Sequence, residues 1–169
     1  EGYTVNPVII SPERKKLLNR NLMLFFTGFS RFSSDIQVAA EKNLKNKQSQ
    51  LLEMLSLVDD AEKVLTSKTD LEEFGRLLDY TWRLKRGITD KVSTDSIDAV
   101  YSRALQAGAI GGKLLGAGGG GFLLFYVDPD KQESVRKALE NLLYVPFEFE
   151  NGGTRVIHYT PESYEPVNA

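Results

Sequence analysis

The run Gly116-Ala117-Gly118-Gly119-Gly120-Gly121 is the part of this sequence whose residue types and spacing are best suited to chemistry. Consecutive glycines cost chain entropy on folding, so they imply a compensating need. That need is positive φ angles, close approach to another segment or a ligand, or a row of N–H groups forming a concavity for an anion. A literal G-x-G-x-x-G runs from Gly116 to Gly121, but a dinucleotide-binding turn follows a strand and opens a helix. Here the pattern places a helix ending near Ala107 before the run and an apolar strand, Phe122 to Val127, after it, which excludes that class. A phosphate loop of the form G-x-x-x-x-G-K-[ST] fails as well: Leu114 follows Lys113, and Ala107 stands where the first glycine belongs. A flexible linker would have polar flanks, whereas Leu114-Leu115 and Phe122-Leu123-Leu124 bracket this run.

Other chemistry-bearing residues are few. There is no cysteine and a single histidine, His158, which removes disulfides, thiolate zinc sites, cysteine nucleophiles and multi-histidine metal sites together. His158 is read as a residue without a chemical role. Arg31 lies in the turn Gly28-Phe29-Ser30-Arg31-Phe32-Ser33-Ser34. Its guanidinium and the helix N-terminus at Ser33 and Ser34 would suit a phosphate or a sugar hydroxyl, although an ordinary surface arginine fits the position equally well. Lys85 and Arg86 are candidates for the same ligand, or favourable cations in a helix's last turn. Trp82 reads as core, and Lys113 as structural or loop-orienting.

The elements that must hold these residues follow from periodicity. Tyr3 to Ile10 suggests a short strand, and Ser11-Pro12-Glu13 caps and opens a helix to about Asn19. Leu22 to Thr27, closed by Gly28, has the pattern of a buried strand. A long helical stretch to about Lys68, broken near Lys45 to Gln48, carries Leu51, Met54, Leu55 and Val58 on one face. Asp70 and Ser93-Thr94-Asp95 cap two further helices. After the strand Phe122–Val127, Asp128-Pro129 opens another helix. Tyr144 to Phe149 and Thr154 to Tyr159 read as strands joined by the turn Asn151-Gly152-Gly153. The tail from Pro161 is polar and expected to fray. This order predicts an α+β two-layer sandwich with several helices on one face of a mainly antiparallel sheet, a ferredoxin-like arrangement being one of few that fit.

With 169 residues, 41% apolar and 26% charged, the chain has the composition of a soluble globular domain, and no repeat or linker divides it. A net charge of −2 gives no basic field for nucleic acid or an anionic membrane. No apolar run approaches a membrane span. A cytoplasmic location fits the cysteine-free composition.

The string KLLGAGGGGF, Lys113 to Phe122, closely resembles the third signature motif of the GHMP kinases, and the preceding Ala107-Gly108-Ala109 and Gly111-Gly112 agree with it. Further segments are similar to one branch, the D-glycero-D-manno-heptose 7-phosphate kinases and the kinase domains of L-fucokinases. They are Phe26 to Ile36, which looks like a turn of the form T-G-x-x-R-x-S, the run Trp82-Arg83-Leu84-Lys85-Arg86 followed by Ile88, Val92-Ser93 and Ile97-Asp98, and the uninterrupted run Gly108 to Phe125. The resemblance implies that residues 1–169 form one domain, the substrate-side C-terminal half of an ATP- and Mg²⁺-dependent sugar kinase. It implies that Gly116, Ala117, Gly118, Gly119 and Gly120 wall the ATP-phosphate site, and that Ser30, Arg31, Ser33 and Lys85 approach the sugar phosphate. The family's Gly-Leu-Gly-Ser-Ser phosphate loop, catalytic aspartate and Mg²⁺ ligands belong to an N-terminal half that has no counterpart here. The 169-residue chain alone is therefore expected to be inactive, and, if it exposes an apolar face where its missing partner half would sit, to self-associate there as a homodimer. The rival of another class is a non-catalytic α+β domain that binds a small ligand or a partner.

Overall fold

The computed structural model describes residues 5–29, 38, 41 and 43–159. Helix α1 (Pro12–Asn21) starts as its residues require: the Ser11 hydroxyl accepts from the Arg14 N–H at 3.2 Å and Pro12 occupies the first turn. It runs directly into β1 (Leu22–Phe26). A 3₁₀ turn (Leu44–Lys47) then leads into α2 (Gln48–Thr66), where the sequence anticipates a break. Helix α3 (Glu72–Arg86) follows, its first turn held by the Asp70 carboxylate, which accepts from the Glu72 N–H. Thr94 caps α4 (Asp95–Gln106), accepting from the Ile97 N–H at 3.3 Å. The chain continues through β2 (Ala109–Leu114), β3 (Phe122–Val127), α5 (Gln132–Ala138) and the short β4 (Leu143–Tyr144).

The four strands form one antiparallel sheet in the order β2-β3-β1-β4. With helices between β1 and β2 and between β3 and β4, this is the ferredoxin-like order, so the expected α+β class holds. The helices, however, cover both faces of the sheet rather than one. Leu123, Phe125 and Val127 of β3 pack with Ile97 and Val100 of α4 and Val135 of α5. Leu124 and Tyr126, pointing the other way, pack with Leu18 of α1, Val64 of α2 and Phe74 of α3. The physical reason lies in FLLFYV itself: a strand apolar at every position has no face suited to water.

Three other expectations are corrected. No strand forms among the described residues 5–10, where Val5 and Ile9 are exposed. The hairpin of residues 144–159 is also absent; only Leu143–Tyr144 pairs, with Phe26 and Phe25. The Asn151-Gly152 turn is instead held by the Glu150 carboxylate, which accepts from both N–H groups at 2.8 and 2.7 Å. Val156, Ile157 and Tyr159 are exposed, so their alternation has no surface to bury against. Finally, Ala109–Leu114, read only as part of a glycine stretch, is strand β2. The glycine loop thus joins two strands, and the dinucleotide-binding class stays excluded because the loop opens a strand and not a helix.

Candidate functional site

The β2–β3 loop is fastened at four places. At its base the Leu115 N–H donates to the Phe122 carbonyl at 2.8 Å. The end of β1 holds the far side: the Gly121 N–H reaches the Phe29 carbonyl and the Thr27 hydroxyl, both at 3.1 Å, while the Thr27 N–H donates to the Gly121 carbonyl at 2.8 Å. The segment between α3 and α4 holds the middle, through the Gly119 N–H and the Val92 carbonyl at 2.9 Å. From the last turn of α3, the Lys85 ammonium donates to the Gly116 carbonyl at 2.5 Å and, more distantly, to the Leu114 carbonyl.

These attachments explain why the loop is glycine. A Cβ on Gly120 would lie 2.8 Å from the Phe29 carbonyl carbon, and one on Gly118 would lie 2.7 Å from the Val92 carbonyl oxygen. Among the described residues, the N–H groups of Gly116, Ala117, Gly118 and Gly120 donate to no carbonyl or side chain. The loop is exposed at Gly116 and half-buried at Ala117, Gly118 and Gly120. Unpaired backbone donors in a partly water-excluded loop are suited to anionic oxygens, and this is the chemistry the arrangement offers.

A buried polar group sets the loop's root. The Tyr101 hydroxyl of α4 donates to the Asp79 carboxylate of α3 at 2.7 Å and accepts from the Gly112 N–H of β2 at 3.1 Å. Burial, then the hydrogen bond to Asp79, pushes ionisation of this phenol upward. Asp79 is also ion-paired to Arg83. Both helices are thereby tied to the strand that delivers the loop.

Of the cations singled out in the sequence, Lys85 is at the loop, although its partners are backbone carbonyls. Arg86 is engaged elsewhere, 3.0 Å from the Asp98 carboxylate and over the rings of Trp82 and Tyr101. Trp82 is fully buried, and His158 is exposed. Ser30, Arg31 and Ser33 lie outside the described residues. Sequence reasoning missed Thr27 and Val92 as loop anchors. Thr27 offered a weak signal, as the one hydroxyl ending an apolar strand, while the Val92 carbonyl offered none.

The Lys85 ammonium titrates near pH 8, pulled down from 10.5 first by burial and then by the charge of Lys113, whose own pKa burial also lowers. Between these limits the unfolded chain binds more protons than the folded one, so this group makes stability rise with pH across that window. Urea unfolding at about pH 7.5 and about pH 9.5 should therefore show the parent protein gaining on Lys85→Met as pH rises. Parallel profiles would mean that Lys85 titrates normally.

The match of residues 58–145 to the model of the GHMP kinases' C-terminal domain decides the family. The chain belongs to the GHMP kinases. It is 34% identical over 146 residues to the D-glycero-alpha-D-manno-heptose 7-phosphate kinase of Campylobacter jejuni, covering 82% of this chain and 43% of that enzyme. It is also 34% identical over 126 residues to the mevalonate kinase of Pyrococcus abyssi, covering 70% of this chain and 37% of the other. This GHMP kinase domain thus spans less than half the length of these relatives. Among solved structures, a D-glycero-D-manno-heptose 1-phosphate kinase from Bacteriodes thetaiotaomicron superposes with TM-score 0.60 and 26% identity, over 86% of this chain and 38% of that one. A mevalonate kinase superposes at TM-score 0.66 over 80% of this chain and 42% of that one; at 24% identity it supports the fold alone. Among the described residues no helix of this GHMP kinase domain is long and apolar enough to cross a membrane.

Proposed function

We propose that this domain is the substrate-side C-terminal half of an ATP-dependent sugar kinase, and that its glycine loop walls the site of the ATP phosphates. The observation that carries the reading is the loop's set of N–H groups at Gly116, Ala117, Gly118 and Gly120, which are unpaired among the described residues. ATP, when bound, supplies the phosphoryl group. The residues here would contribute backbone donors to its phosphate oxygens, and positioning of this kind is most of what phosphoryl transfer requires. Mg²⁺ fits less well: among the described residues no group of three or more His, Cys, Asp and Glu converges, so no step is routed through it.

The proposed acceptor is the anomeric hydroxyl of D-glycero-D-manno-heptose 7-phosphate. Similarity to the Campylobacter enzyme over 82% of the chain favours it. Arg31 is the proposed cation for the sugar's phosphate, with Ser30 and Ser33 beside it. The equal percentage identity to a mevalonate kinase favours a second reading, a GHMP kinase for another small molecule, and an L-fucokinase remains in that group.

The test is phosphoryl transfer by the intact protein carrying this domain, with the heptose 7-phosphate, L-fucose and mevalonate as competing acceptors. The heptose phosphate should win in kcat/KM, and Arg31→Met should raise KM for it alone. A preference for mevalonate or fucose overturns the substrate. Turnover by the 169-residue chain alone would overturn its dependence on a second half.

A further inference from the structure

Lys85 is partly buried, and among the described residues no carboxylate lies within ion-pair distance of its ammonium. Its partners are two carbonyls, of Gly116 and Leu114. A cation drawn out of water onto neutral acceptors gives up hydration for little Coulombic return, so core stability is a poor reason for its place. Its geometry suggests a better one.

A peptide unit is planar and trans, so its C=O and N–H point in opposite directions. The Gly116 carbonyl shares a peptide unit with the Ala117 N–H. Drawing that oxygen onto Lys85 therefore aims the Ala117 N–H away from α3. On the other flank, the Gly119 N–H bonded to Val92 fixes the next-but-one unit in the same way. Between these two fixed units lies the Gly118 N–H, which is also unpaired among the described residues. Among the described residues the other fastening on the first flank is the Leu115–Phe122 hydrogen bond at the loop's base, and Gly116 itself has φ +75° and nothing within 4 Å of where a Cβ would be.

We propose that Lys85 is a positioning residue, whose ammonium sets the orientation of the Gly116–Ala117 peptide and so presents the Ala117 and Gly118 N–H groups to an anionic oxygen. The kinetic consequence rests on the kinase reading above; the tether itself does not. Lys85 acts through the loop, and its role is distinct from contact with the sugar phosphate.

The experiment uses the intact protein with Lys85→Met, Lys85→Arg and Lys85→Gln, the last retaining a shorter donor should the methionine variant fail to fold. Hydrogen exchange is followed in the segment 115–121, with α4 as an internal control. Exchange in the segment should quicken about tenfold or more in Lys85→Met and least in Lys85→Arg, with α4 unchanged, as expected for loss of a charge-assisted hydrogen bond. KM for ATP should rise about tenfold while KM for the acceptor holds. Unchanged exchange overturns the tether whatever the activity. Faster exchange with an unchanged KM for ATP overturns the presentation of N–H groups to the nucleotide. A parent protein that phosphorylates no acceptor sinks the kinase reading, and the exchange result still decides the tether.

Discussion

Replacing Gly111 with alanine should lower the melting temperature by roughly 6–12 °C, the shift expected for about 3 kcal/mol in a chain of this length. Gly111 sits on β2 opposite Tyr126, on the sheet face that α3 covers. A Cβ there would fall on the Gly75 carbonyl oxygen, and within 2.9 Å of both the Gly75 carbonyl carbon and the Asp79 Cβ. The obstacle is helix backbone rather than the movable end of a side chain, so the helix must shift bodily. Gly75 has no slack to offer from the other side, because its own Cβ position is 2.9 Å from the Tyr126 Cβ. Displacing α3 also moves Asp79 away from Tyr101, loosening a buried hydrogen bond at the loop's root. Calorimetry on parent and variant decides the matter. A melting point within about 2 °C of the parent would mean that α3 and β2 are less closely packed than described. Gly116→Ala is the control: its Cβ meets nothing within 4 Å, so only the cost of φ +75° remains, about 1–2 kcal/mol.

The same contact explains what could be read from the sequence and what could not. Helices α3 and α4 were legible because capping residues precede a run of apolar residues at helical spacing. Strand β3 was legible because FLLFYV has no polar position. Strand β2 was not: Gly111 and Gly112 are there to admit a helix backbone and the Phe125 ring, and glycine erases the alternation by which a strand is recognised. The opposite error occurs in residues 154–159, where alternation is present without a surface to bury it. At the site, the glycine loop and Lys85 stood out by residue type. The direction of the Lys85 side chain did not, because a lysine near a helix end has the same sequence signal whether it faces a ligand or two carbonyls. The anchors at Val92 and Phe29 act through backbone atoms, which every residue type carries alike.

On the proposed kinase reading, Gly120→Ala should reduce kcat/KM for phosphoryl transfer by about a hundredfold in the intact protein, the cost expected when reacting groups are misplaced by about 1 Å. No positive φ is recorded at Gly120, so alanine is conformationally acceptable there and the effect is steric. The added methyl would lie 2.8 Å from the Phe29 carbonyl carbon and 3.1 Å from the Phe29 Cβ. Relief requires the loop to move away from the end of β1, stretching the Gly121–Phe29 hydrogen bond now at 3.1 Å. The donors at Ala117 and Gly118 lie on the part of the loop that would swing. Stability should suffer less than activity, because the loop is partly exposed and the sheet beneath it keeps its packing. Comparison with Gly116→Ala separates two reasons for glycine in this run: room for a neighbour at Gly120, and a left-handed backbone at Gly116. If Gly120→Ala turns over within about threefold of the parent, close seating of the loop on Phe29 is not what the reaction needs. If both variants lose activity equally, the loop's backbone conformation matters more than its seat.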